Sequence, residues 1–238
     1  MITKTLLCAC LLLIPATLEY IKEAPIIAEI TESCKIYSDK DRNFPIGDLA
    51  AGCHAEILED FSAEVYKINA SGALGWVEAE FLNIPPDSPT DKSILTMEQL
   101  EDFVAKSSYT SKTDFLILTD IGRQKTHIFK ASDPGWSLLK TFDCSTGTNT
   151  SPTTRGIFTI SERGLWFYSQ RLSSGAKYWM RFNGQYLFHS IPMDSNKNII
   201  PGEDIVGEKR SSGCVRLMPN DAKWLYENIP DGSTVVII

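Results

Sequence analysis

The sequence has little with which to hold a polyanion. Among 238 residues, 23 Lys and Arg stand against 30 Asp and Glu, for a net charge of −7, and no basic run occurs anywhere. That excludes the electrostatic footprint of a protein built to bind nucleic acid or an anionic membrane surface. Histidine is also scarce, with three in the chain. His54, beside Cys53, has no second ligand cluster near it, so it is read as a structural or surface histidine and not as a metal ligand. The one apolar run near the N-terminus, Thr5 to Ile14, follows Met1-Ile2-Thr3-Lys4 and ends at Pro15-Ala16-Thr17. It is too short for an ordinary spanning helix and has the charge–apolar–small-residue order of a secretory signal. Residues 1–24 are read as that signal, cut within 16–24, with an uncleaved membrane anchor as the alternative. Export to an oxidising compartment permits disulfides. Of six cysteines, the signal removes Cys8 and Cys10, and Cys34 and Cys53 in neighbouring strands become the candidate pair.

What remains is ordinary globular composition, 43% hydrophobic and 22% charged, enough for one large or two modest domains. Residues 27–84 read as successive short strands, among them Ile26–Ile30, Cys34–Tyr37, Cys53–Leu58, Val65–Ile68 and Gly75–Val77. Turn residues such as Asn43, Pro45, Gly47, Gly52, Asn69 and Gly72 separate them, as in a small β-barrel. The breaker-rich run Pro85-Pro86-Asp87-Ser88-Pro89 marks a boundary, and residues 85–112 form a linker. Within it Thr96 and Gln99 make a capping box for a short helix with Leu100, Phe103 and Val104 on one face. Residues 113–238 return to strands. His127 is expected to face outward on one of them, and Cys144, with no histidine beside it, to be a core thiol. A last helix begins at Pro219, with Ala222, Leu225, Tyr226 and Ile229 on one face, and Ser233–Ile238 runs out as a buried strand.

The chemistry concentrates between His189 and Arg216. Phe188-His189-Ser190-Ile191 leads through a polar excursion, read as a surface loop, to Ser211-Ser212-Gly213-Cys214-Val215-Arg216-Leu217. A thiol is a nucleophile only as thiolate, and a neighbouring imidazole lowers its pKa from the ordinary ~8.5. The amides of Gly213 and Cys214 are candidate oxyanion donors. Arg216, two residues past the thiol, shares its strand face if the segment is extended, and its planar guanidinium suits a carboxylate.

This pattern resembles the catalytic domain of the L,D-transpeptidases of bacterial cell walls, whose signature is a histidine, a spacer and Ser/Thr-His-Gly-Cys-apolar-Asn/Arg. His189, Ser211, Gly213, Cys214, Val215 and Arg216 match it, as do Ser145-Thr146-Gly147 and Gly156-Ile157-Phe158-Thr159-Ile160 further upstream. Ser212 departs from it, standing where most members carry a second histidine. Residues 27–84, with Pro45-Ile46-Gly47-Asp48-Leu49, Tyr66-Lys67-Ile68 and Gly72–Val77, resemble a bacterial SH3-like domain, which implies either a wall-docking or a spacer role. The resemblances together imply a mainly β chain: a small SH3-like β-barrel, then a transpeptidase-type β-sandwich with a few short helices.

The implied activity, in the periplasm or on the extracytoplasmic cell-wall face, is acyl transfer between peptidoglycan stem peptides, donor and acceptor, through a thioester on Cys214, with no metal or organic cofactor needed. His189 would be the base, oriented by the Ser190 backbone carbonyl. Arg216, Ser212, Ser211, Tyr178 and Trp179 are the candidate substrate contacts. Two alternatives stay open: an L,D-carboxypeptidase acting on the same stems, and an inactive wall-binding relative, which Ser212 motivates.

Overall fold

The structure, a computed structural model, describes residues 20–238. Most of the expected signal segment lies outside the described residues. Its last part does not: Ile21 is buried against Leu100, Val104 and Leu116, and Glu23 pairs with Arg155 at 3.1 Å. A cut at the downstream end of the 16–24 window would strip this core side chain, whereas one before Tyr20 would keep it.

The N-terminal module is one antiparallel sheet of seven strands. These are β1 Ile26–Ile30, β2 Cys34–Tyr37, β3 Pro45–Leu49, β4 His54–Phe61, β5 Val65–Ala70, β6 Ala73–Glu78 and β7 Leu82–Asn83, in the order β3-β2-β6-β5-β4-β1-β7. Period-two alternation puts Ile26, Ala28 and Ile30 inside and Ile27 and Glu29 outside. Pro45–Leu49, read from the sequence as turn-rich, is an edge strand. Pro45 is tolerated there because an edge leaves one row of backbone groups without a partner strand. Cys34 and Cys53 are both free thiols. The expected disulfide is absent because Cys34 points into the module core while Cys53 is exposed in the turn before β4.

The linker then crosses to the second half, where Asn149 donates from its side chain to the carbonyls of Pro85 and Pro86 at 3.0 and 3.1 Å. Helix α1, Met97–Ser107, starts with the expected capping box: Gln99 N donates to Thr96 Oγ1 and Thr96 N to Gln99 Oε1. Its buried Leu100 and Val104 join Leu116, Leu118, Phe129 and Val236, so the helix packs on the second half and not on the module.

That half holds β8 Phe115–Asp120, β9 Lys125–Ala131, β10 Trp136–Ser145, β11 Gly156–Thr159, β12 Glu162–Ser169, β13 Ser174–Asn183, β14 Tyr186–Ser190, β15 Val215–Leu217, helix α2 Pro219–Asn228 and β16 Thr234–Ile237. The strands form a nine-stranded ladder, β11-β16-β8-β9-β10-β15-β14-β13-β12. Strand β10 links its two parts, pairing β9 through residues 136–143 and β15 at Cys144 and Ser145. The inner faces meet around Ile128, Phe142, Met180, Phe188 and Val215, with Ala222, Leu225 and Ile229 from the α2 segment. Burying a side chain like Phe188 contributes about 1.5–3 kcal/mol.

Among the described residues the architecture is therefore mainly β, with two α-helices. His127 is buried rather than outward-facing. It sits on β9 between β8 and β10, a central strand covered on both faces.

The module folds back onto this half. Tyr66 Oη donates to the Thr150 carbonyl at 2.6 Å, Ser151 Oγ to Asp60 Oδ2 at 2.9 Å, and Arg155 pairs with Glu56.

Candidate active site

Strands β14 and β15 run parallel, with Phe188 opposite Val215, His189 opposite Arg216 and Ser190 opposite Leu217. Alternation then sends Phe188, Val215 and Leu217 into the core. The other face carries Leu187 and His189 from β14, with Cys214 and Arg216 from β15 and its approach, and all four line one cleft of about 450 Å³. Two short strands in register thus bring together a thiol and an imidazole that are 25 residues apart in sequence.

Residues Ser211–Cys214 form a tight elbow, and its geometry depends on polar side chains. Ser211 Oγ accepts from Gly213 N at 3.1 Å and donates to the Cys214 carbonyl at 2.5 Å. Thr153 Oγ1 donates to the Gly213 carbonyl at 2.7 Å and accepts from Gly147 N at 2.9 Å. Thr146 takes the amides of Arg210 and Ser211 on its carbonyl, and its own amide and hydroxyl are held by Gln124. Gly213 has φ +103°, and a Cβ there would lie 2.4 Å from the Tyr186 ring; no other residue fits.

The Gly213 amide is already used by Ser211, which corrects its expected role as an oxyanion donor. Among the described residues no acceptor takes the amides of Ser212 or Cys214, so these are the available pair. Ser211 is a brace of the elbow, buried at 3% exposure, and it also lines the cleft. Ser212 is exposed at the cleft lip.

His189 Nδ1 lies 2.5 Å from the Ser190 carbonyl oxygen. A carbonyl only accepts, so Nδ1 carries the proton and Nε2 of the neutral ring is a free base. Burial lowers the imidazole pKa to about 4, a fall that the Ser190 bond opposes and Arg216 assists. The Cys214 thiol is pushed above its ordinary value by burial, against the pull of the Leu187 amide, Arg216 and Arg181. Burial thus disfavours the charged form of both groups, which opposes the ionised thiol expected from proximity alone. Cys144, as expected, is a core thiol, fully buried and pushed up to about 12.

Arg216 lines the cleft but is already paired with Glu203 at 2.7 Å. The excursion that supplies Glu203 is more than a surface loop. Ile191, Pro192 and Met193 are buried, Met193 bridges Gly175 and Ile199, and Gly207 N donates to the Cys144 carbonyl at 2.8 Å.

Tyr178 and Trp179 are not in the cleft. Tyr178, at φ +58°, interrupts the β12–β13 ladder between Lys177 and Trp179 and packs toward Tyr226, with ring centroids 6.0 Å apart. Trp179 covers Gly164, where a Cβ would lie 2.5 Å from its indole nitrogen.

The walls hold residues that sequence reasoning did not single out. Phe167 stands edge-on to His189, centroids 5.6 Å apart, beside Arg171. Asp60, Ser62 and Ala63 come from the N-terminal module. No motif announces any of them. Among the described residues no group of three or more His, Cys, Asp or Glu side chains is placed to hold a metal, and no helix is long and apolar enough to cross a membrane.

Residues 114–238 match the family model of the L,D-transpeptidase catalytic domain (YkuD). The chain is 38% identical over 125 residues to YciB of Bacillus subtilis (strain 168), whose name assigns it provisionally to the L,D-transpeptidases. That match covers 50% of this chain and 62% of YciB, less than two thirds of the relative's length. Among solved structures, a fused Zn-dependent amidase/peptidase/peptidoglycan-binding domain-containing protein from Clostridium acetobutylicum aligns at 29% identity and TM-score 0.49, covering 60% of this chain and 59% of that one. An L,D-transpeptidase from Stackebrandtia nassauensis aligns at 25% identity and TM-score 0.43, covering 58% and 63%.

Proposed function

The chain belongs to the L,D-transpeptidase catalytic-domain family, and from that premise we propose that it is an exported cysteine L,D-transpeptidase forming 3→3 peptidoglycan crosslinks through a thioester on Cys214. The observation that carries this reading is the shared cleft face of Cys214 and His189, with Nδ1 engaged by the Ser190 carbonyl and Nε2 left as a base. A neutral pair needs no ion pair at rest. His189 Nε2 takes the Sγ proton as the thiol attacks the carbonyl between the third and fourth residues of a tetrapeptide stem. The amides of Cys214 and Ser212 receive the developing oxyanion. The imidazolium then gives its proton to the departing amine, and D-alanine leaves. The side-chain amine of a second stem then attacks the thioester, His189 takes its proton, and as the C–S bond breaks the imidazolium returns that proton to the Cys214 sulfur. Arg216, held by Glu203, supplies positive charge at the cleft floor for a stem carboxylate. The proposal of export rests on the leader-like N-terminal pattern and puts the reaction on the outer side of the cell membrane.

The test is product analysis with a defined tetrapeptide stem, with and without an amine-bearing acceptor stem. Crosslinked dimers that increase with acceptor are the expected result. Tripeptide alone, at saturating acceptor, would replace transfer by hydrolysis and make the protein an L,D-carboxypeptidase.

A further inference from the structure

Besides the reacting pair, the cleft contains a buried carboxylate supplied by the other domain. Asp60, next to last in β4, is 5% exposed and lines the same cleft as Cys214 and His189, together with the turn residues Ser62 and Ala63. Its Oδ2 accepts from Ser151 Oγ at 2.9 Å and from Ala63 N at 3.3 Å. Ser151 directly precedes the Pro152–Thr153 segment that touches Gly213, so the carboxylate is tied to the flank of the nucleophile elbow.

The electrostatics are unusual. The other strongly buried carboxylate, Asp120, has Arg123 at 3.0 Å, and Arg216 has Glu203. Among the described residues no cation pairs with Asp60, and burial raises its pKa. Burial, and after it the charges of Glu59 and Asp60, raises the pKa of Tyr186, whose ring packs against Gly213. A buried anion without a counter-ion is costly to keep. Of the two arginines that line the cleft, Arg216 is paired with Glu203 and Arg171 carries the opposite sign. The cleft therefore suits a ligand bearing both an ammonium and a carboxylate.

We infer that Asp60 is a subsite for a primary ammonium on a stem-peptide side chain, so that the N-terminal module completes the substrate cleft of the catalytic half. This rests on the proposed function. Asp60 takes part in binding only. Both the donor and the acceptor stem carry such an amine, and the two halves of the reaction tell them apart.

The test uses the full chain with Asp60→Asn and Ser151→Ala. The amide of D60N keeps an oxygen for Ser151 and Ala63 and removes the charge, while S151A keeps the charge and removes the tether. Acylation of Cys214 is followed by intact mass, using a donor stem with its side-chain amine and the same stem with a methyl group in that place. Transfer is followed with an amine acceptor and with hydroxylamine, an uncharged nucleophile.

The expected result is that D60N raises KM roughly tenfold or more for the amine-bearing stem in one half-reaction. It should match wild type with the methyl stem or hydroxylamine, and S151A should do markedly less. The inference is overturned if D60N stays within about twofold of wild type in both halves, if it weakens charged and uncharged ligands alike, or if S151A reproduces its effect. A wild type that forms no thioester takes the proposed function down first, and this inference with it.

Discussion

The two halves of the molecule bury polarity differently. Among the described residues of the module, Asp60 is the one buried polar or charged side chain, and everything else inside is apolar. The catalytic half buries Gln124, His127, Thr146, Thr153, His189, Ser190 and Ser211, among others. Most of these are bonded into the network under the elbow. A buried polar group is expensive unless it is partnered, so a sheet that needs only to fold keeps them out. The catalytic half keeps them because they position a reactive turn, and the module has its single exception where it meets the cleft.

Glycine substitution is the sharpest way to break that contrast. Gly213→Ala would drive a Cβ to 2.4 Å from the Tyr186 ring at φ +103°. The expected loss is about 3 kcal/mol or more, with no detectable acylation. Gly72→Ala, in the module at φ +93° with nothing within 4 Å, is expected to cost about 1 kcal/mol and leave acylation as it was. Denaturant melts and adduct formation on both variants check this, and equal losses would erase the distinction.

Acid is the next probe. His127 and His189 both have folded pKa values of about 4, below the ordinary 6.5, because burial opposes their charge. The unfolded chain binds their protons first. Their contribution to stability is therefore complete above pH 6.5 and is lost as pH falls toward 4, at up to ~1.4 kcal/mol per pH unit for each. Melting temperatures from pH 7 to 4 should fall accordingly, and His127→Gln should flatten the slope. A flat profile in the parent protein would contradict the buried neutral state of both rings. The smallest effect is expected for Cys53→Ser, an exposed free thiol. Its stability should stay within about 0.5 kcal/mol of the parent with or without reductant, and a reductant-sensitive loss would reveal a disulfide with Cys34.

Much of the site was legible in the sequence because it sits on contiguous strands. Alternation puts Cys214 and Arg216 on one face, and His189 and Ser190 are adjacent. What alternation cannot supply is how far a strand face lies from the cleft: Tyr178 packs toward Tyr226 and Trp179 over Gly164, both outside it. His127 lies on a strand whose neighbours were not predictable from local pattern, so its burial was hidden. The state of the thiol was hidden too, since the push of burial against the pull of Arg216, Arg181 and the Leu187 amide exists only in the folded chain. Asp60 was out of reach because its importance depends on how one domain packs against another.

The central claim is that Cys214, served by His189, carries the acyl group. Intact-mass measurement of the wild type, Cys214→Ala and His189→Gln after incubation with a tetrapeptide stem tests it most directly. The wild type should gain the mass of the stem less D-alanine, H189Q should do so roughly 10²–10⁴-fold more slowly, and C214A should gain nothing. The same adduct on C214A, or none on the wild type at any stem concentration, would contradict it.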